Sequence, residues 1–234
     1  MPFVTPDLPE TEAAIVALTN TFRAENHLGA VTSNPALQAA ARQFAAYLAR
    51  TSTFDHTADG RQPSDRVKTA GYRACIVAEN LALQQSSSGF EARVLAGRAV
   101  EGWKNSPPHR ANMLQPEVTE TGIGIAFSKD AVPKFLSVQV FGRPDSLKVE
   151  FKIENQAGIA VGYMLDGATR QVSHRAVITH TACAPQPITF ATGAVTTAFA
   201  TRNGAAFLIT RGPDGKPRVE MQLASAGTAV KPAR

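Results

Sequence analysis

The chain has 234 residues, 44% of them apolar and 18% charged, enough apolar material to bury a core and too little charge for a disordered chain. No apolar run approaches the ~18 residues that span a bilayer, so no transmembrane segment is expected. The net charge of +5 is uneven: residues 1–144 carry 14 Lys and Arg against 13 Asp and Glu, and residues 145–234 carry 10 against 6. The basic excess of the second part is scattered and lacks interleaved aromatics, which argues against a specific nucleic-acid surface and leaves solvated charge or an anionic polymer as partners.

In chain order, residues 10–27 predict an amphipathic helix with Ala14, Ile15, Leu18 and Phe22 on one stripe, stopped by Gly29. His27 at its end is explained by the helix dipole. Asn34-Pro35 predicts the start of a second helix, a side-chain cap before a proline at the first helical position. Leu37, Ala41, Phe44 and Leu48 form its apolar face. Pro63 opens a short third helix before Gly71, and a fourth is expected from Ser86-Ser87-Ser88 to about Lys104, carrying Phe90, Val94 and Trp103. Ser106-Pro107-Pro108 starts a further short helix, with Ser106 as its cap.

The period then changes to two. Gly122 to Phe127 and Phe135 to Phe141 predict an antiparallel hairpin around a polar turn from Lys129 to Lys134. Gly122-x-Gly124 lies on a strand with no following phosphate-binding helix, which excludes a dinucleotide reading.

Gly142-Arg143-Pro144-Asp145 punctuates the chain, giving expected domains of 1–143 and 146–234. Beyond it only short alternating runs occur: Val149 to Ile153, Ala160 to Leu165, Ala176 to Thr179, Ile188 to Phe190, Val195 to Phe199, Ala205 to Ile209 and Arg218 to Leu223. Asp166-Gly167 ends one run, and Asn203-Gly204 and Asp214-Gly215 carry hairpin signals. The expectation is a small β-sandwich, with a frayed tail over Ala224 to Arg234. The whole is α+β.

Three segments carry chemistry: F-D-H-T (Phe54 to Thr57), A-E-N-L (Ala78 to Leu81) and W-K-N-S-P-P-H-R (Trp103 to Arg110). Their order over the first 143 residues resembles the CAP superfamily (cysteine-rich secretory proteins, antigen 5 and pathogenesis-related 1 proteins) in its bacterial form. The resemblance implies an α-β-α sandwich and a cavity lined by two histidines and two glutamates. By motif, His56 and His109 match the histidines and Glu79 the first glutamate. Ser106 stands where many eukaryotic members have the second glutamate, so the set is incomplete, and whether Glu101 or Glu120 replaces it stays open.

Two imidazoles can hold Zn²⁺, but catalytic zinc usually takes three protein ligands, so His56 and His109 are expected to bind metal weakly and no cofactor is required. Glu79 is then a weak third ligand or an orienter of an imidazole, and the alternative is a purely structural hydrogen-bonded cluster. Arg110 and Asn112 are expected to anchor the loop that follows. His174 and His180, with Cys183, form a weaker candidate metal set if one strand carries both histidines.

The resemblance also implies export. Met1-Pro2-Phe3 has neither a basic nor an apolar leader region, so a removed signal peptide and an added Met1 are expected, with a secreted, periplasmic or cell-envelope location. Cys75 and Cys183 are expected to form a disulfide joining the two domains. Family members have been connected with lipid or sterol binding. The expected function is therefore binding, of a small apolar ligand or an anionic envelope polymer. The alternatives are a metal-dependent hydrolase or peptidase using the same cavity, and a scaffold that recruits a partner.

Overall fold

The computed structural model describes residues 3–193 and 196–223. Val195 and the expected tail from Ala224 to Arg234 lie outside the described residues. The chain divides into two compact units, one ending at Asp145 and the other beginning at Ser146.

The first unit runs α1 (Leu8–Glu25), β1 (Thr32–Ser33), α2 (Pro35–Thr51), α3 (Pro63–Thr69), β2 (Ala74–Gln85), α4 (Ala92–Lys104), α5 (Pro107–Met113), β3 (Glu120–Phe127) and β4 (Lys134–Pro144). Its strands form one sheet in the order β1-β3-β4-β2. Alternation along β4 splits the apolar residues between two cores. Leu136, Val138 and Val140 meet Leu37, Phe44 and Leu48 of α2 and Val67 of α3. Phe135 and Phe141 meet Ile15 and Phe22 of α1, Leu95 and Trp103 of α4 and Met113 of α5. A sheet with helices on both faces is an α-β-α sandwich.

Gly122 and Gly124 let α2 lie directly on β3. A Cβ at either position would sit 2.2 Å from backbone atoms of α2, at Leu37 and Gln38 for the first and at Ala41 for the second. The alanine-rich face of α2 supplies the other half of that close approach.

The described elements correct several expectations. Leu18 is 37% exposed, and the buried stripe of α1 runs instead through Thr11, Ile15, Thr19, Phe22 and Arg23. Polar residues displace Leu18 because they have buried partners: Gln139 donates to the Thr19 hydroxyl at 2.9 Å. The stop of α1 is His27 rather than Gly29. His27 takes the left-handed conformation (φ 60°), with Leu28 N–H bonding Arg23 O and His27 N–H bonding Ala24 O, a Schellman arrangement. The fourth helix begins at Ala92, after Glu91 and not at the serine cluster, and Val94 points to solvent.

Residues 74–85, which carry no clear period, form the long strand β2 through pairing with β4. Its other edge is not left open. The indole N–H of Trp103 bonds Leu81 O at 2.9 Å, and the Asn112 amide bonds Glu79 O at 3.1 Å. Such side-chain cover blocks pairing with another chain.

The second unit contains β5 (Val149–Asn155), β6 (Val161–Leu165), β7 (Ala168–Val172), β8 (Val177–Ala182), β9 (Pro187–Ala191), β10 (Thr196–Ala200), β11 (Ala205–Arg211) and β12 (Pro217–Leu223). Two four-stranded sheets, β10-β9-β6-β7 and β12-β11-β5-β8, feed one core containing Phe151, Tyr163, Phe190 and Phe207. This is the expected β-sandwich, with one unexpected strand. The mostly exposed β7 follows β6 through Asp166 and Gly167, both at positive φ. Asp214-Gly215 joins the paired strands β11 and β12. Asn203-Gly204 makes no hairpin, because β10 and β11 belong to different sheets. It docks on β5 instead: Gly204 N–H bonds Glu150 O, and the Asn203 side chain accepts from Glu150 N–H.

Neither cysteine is free; Cys75 and Cys183 are both disulfide-bonded. Among the described residues no helix is long and apolar enough to cross a membrane.

Candidate functional site

Consecutive residues of a strand point to opposite faces. On β2, Glu79 lies opposite Val140, on the α2 and α3 face, and Asn80 lies opposite Gln139, on the α4 and α5 face. The site therefore wraps the edge of β2, half of it on each face.

On the first face the Glu79 side chain is 1% exposed. Its carboxylate accepts from Arg66 Nη2 on both oxygens, at 2.9 and 2.8 Å, and lies 2.8 Å from His56 Nδ1. Arg66, from α3, is equally enclosed. It donates to His56 O, Arg61 O and Asp59 Oδ1, each at 2.9 Å, and stacks 3.5 Å above the Phe44 ring. Burial pushes the Asp59 carboxyl up, but hydrogen bonds from Arg61 and the charges of Arg66 and Arg61 hold it below the ordinary range. The His56 ring is half exposed. Its bond to Glu79, outweighing burial, raises its pKa above the usual histidine value.

On the second face, α5 presents His109. Its Nδ1 lies 2.9 Å from Ser106 Oγ. Burial, and then the charge of His56, lowers its pKa. The Asn112 amide bonds both Glu79 O and Asn80 Oδ1, and Asn80 Nδ2 bonds His109 O. Asn112 thus pins α5 to β2. The loop after α5 is anchored by Arg23, which is buried and donates to Gly29 O, Met113 O, Gln115 O and Val118 O. Burial lowers the pKa of this guanidinium. Arg110 lies over the Phe22 ring.

Ser106 occupies the cap position of α5 but makes no side-chain cap. Pro108 lacks the N–H at the second helical position, one of the two that a cap serves, and the Ser106 hydroxyl bonds the His109 ring instead. Neither candidate for the second glutamate hydrogen-bonds to the cluster. Glu101 is held by Asn105, and Glu120 by Tyr72 and Asn34.

His56, Glu79, Ser106 and His109 are thus placed around one strand edge. Sequence reasoning missed Arg66, Asp59 and Arg23. The signal for Arg66 was chemical: a glutamate flanked on its strand face by Val77 and Leu81 needs a cation, and Arg66-Val67 sits on the short third helix.

Among the described residues no group of three or more His, Cys, Asp and Glu is arranged to hold a metal ion. Few donors of the site remain free. Each Nδ1 is already paired, His56 with Glu79 and His109 with Ser106, which leaves the Nε2 atoms, while Arg66 occupies both oxygens of Glu79. In the second unit, His174 lies in the turn before β8 and its Nδ1 accepts from Gly158 N–H. His180, on β8, bonds Tyr163 OH at 2.9 Å. One strand does not carry both, so the candidate set drawn with Cys183 does not form.

No curated protein matches the sequence significantly. Among the solved structures to which the chain is similar are three bacterial proteins. These three are an extracellular protein containing an SCP domain from Bacillus anthracis (24% identity, TM-score 0.49, 58% of this chain and 41% of that one), an outer surface protein from Borrelia burgdorferi (21%, 0.48, 56% and 90%), and a cysteine-rich secretory protein from Staphylococcus aureus (20%, 0.42, 58% and 39%). The chain spans about two fifths of the first and third. The sequence profile of the cysteine-rich secretory protein family matches residues 16–141. That match takes in more than half of the sequence, and the chain belongs to this family, the CAP family.

Proposed function

We propose that the protein acts outside the cytoplasm by binding, and that the His56–Glu79–His109 edge of β2 is a recognition site rather than a catalytic one. The carrying observation is the state of Glu79. Its buried carboxylate is occupied by Arg66 and His56, so it orients a histidine and is not available to take a proton from substrate or water. The half-exposed His56 and the exposed Phe54, two residues before it in the chain, offer one polar and one apolar contact. This mixture suits a small apolar ligand with a polar end, or a segment of an envelope polymer. The oxidised cysteines support an oxidising compartment and hence export.

Zn²⁺, if bound, would be held by Nε2 of His56 and of His109 and would act there as a Lewis acid. Two ligands make it weak. Calorimetric titration with Zn²⁺ tests this: the expected result is low affinity, lost in His56→Ala with His109→Ala. A screen of peptide and ester substrates should show no metal-dependent turnover. Turnover that a chelator removes and metal restores would establish the second reading, a metal-dependent hydrolase or peptidase. That reading draws on the opposed pKa shifts of the two histidines, a pattern suited to acid–base work.

A further inference from the structure

We propose a second binding site on the first unit, for a phosphate group, made by Lys104 at the end of α4 and Arg110 on α5. Both cations lie over one ring: Lys104 Nζ and the Arg110 guanidinium carbon are each 4.9 Å from the Phe22 centroid. They therefore stand no more than about 10 Å from one another, close to the screening length of about 8 Å at physiological salt. Neither makes an ion pair with a carboxylate among the described residues. The nearby Glu101 is one turn back on α4, where the Asn105 amide holds its carboxylate.

The buried Arg23, next to Phe22 in α1, is a further positive charge whose hydrogen bonds go to backbone carbonyls. The two outer cations line an open recess of about 450 Å³, whose remaining walls are Asn105, Pro107, Ala111 and Leu114. No carboxylate belongs to that lining. A dianionic phosphate seated there would take paired N–H donors from the planar guanidinium and meet the ammonium as a point charge. The apolar walls leave room for the organic part of a phosphate ester.

The inference does not rest on the His56–Glu79–His109 reading, since the recess uses other residues and no metal. Its test uses the full chain. Phosphorus NMR titration with inorganic phosphate, and sedimentation with phosphatidylcholine vesicles with and without phosphatidic acid, separate a free phosphate from a lipid headgroup. Saturable binding in either arm is expected. Lys104→Gln with Arg110→Gln should weaken it by about tenfold or more, with the thermal midpoint unchanged. The charge-matched control Lys129→Gln with Lys152→Gln should bind like the parent. Absence of binding in both arms, or equal loss in the two double variants, would overturn the site. Either result leaves the outcome of the zinc titration unaffected.

Discussion

Arg66 and Glu79 form a buried ion pair in which one guanidinium nitrogen, Nη2, reaches both carboxylate oxygens, while the other terminal nitrogen bonds Asp59. The pair ties α3 to the edge strand β2 and fixes the group that orients His56. A pair this enclosed is costly to break from one side, because the remaining charge stays buried.

Arg66→Met should therefore destabilise the first unit by about 3–5 kcal/mol, the cost of an uncompensated buried charge. Arg66→Met combined with Glu79→Leu should recover much of that loss. Urea denaturation of the single and double variants measures the coupling. A single variant as stable as the parent would show the pair to be incidental.

The two histidines should titrate on opposite sides of the usual histidine value, His56 above and His109 below. For His56 the folded pKa is raised, so its contribution to stability is full below the unfolded value of about 6.5 and fades as pH rises through the folded pKa. For His109 the folded pKa is lowered, so its contribution is present above about 6.5 and fades as pH falls through the folded pKa. Imidazole resonances followed by NMR check both signs, and Glu79→Gln should move the His56 titration downward.

Gly122→Ala and Gly124→Ala should each destabilise by about 1–3 kcal/mol or more, since the added methyl meets helix backbone rather than a movable side chain. Gly162→Ala in the second unit has no atom nearer than 3.8 Å and serves as the control. Thermal unfolding of the three variants decides it, and equal midpoints would contradict the close approach of α2 to β3.

Because Cys75 and Cys183 are both disulfide-bonded, alkylation of the unfolded, unreduced chain should label neither, and reduction should expose two thiols. Reduction should also lower stability by about 2–5 kcal/mol. Mass spectrometry before and after reduction reads the first outcome and chemical denaturation the second.

Features that depend on near neighbours were legible in the chain. Asn34-Pro35 starts α2 because a side-chain acceptor and a fixed φ act within three residues. The Asp214-Gly215 turn and the alternation of β5 and β11 are likewise local. The order of the His56, Glu79 and His109 motifs identified the family and three of the site's side chains. Tertiary structure alone decided the rest. Strand β2 exists because β4 pairs with it, and Leu18 is exposed because Thr19 and Arg23 find buried partners across the fold. Asn203-Gly204 lost its hairpin to β5. Ser106 makes no cap and bonds the His109 ring, with Pro108 lacking one of the two N–H groups it would have served. Above all, the role of Glu79 depended on Arg66, thirteen residues upstream and on another element. A carboxylate's chemistry is set by the charges and donors that reach it in space, and local sequence pattern does not carry that information.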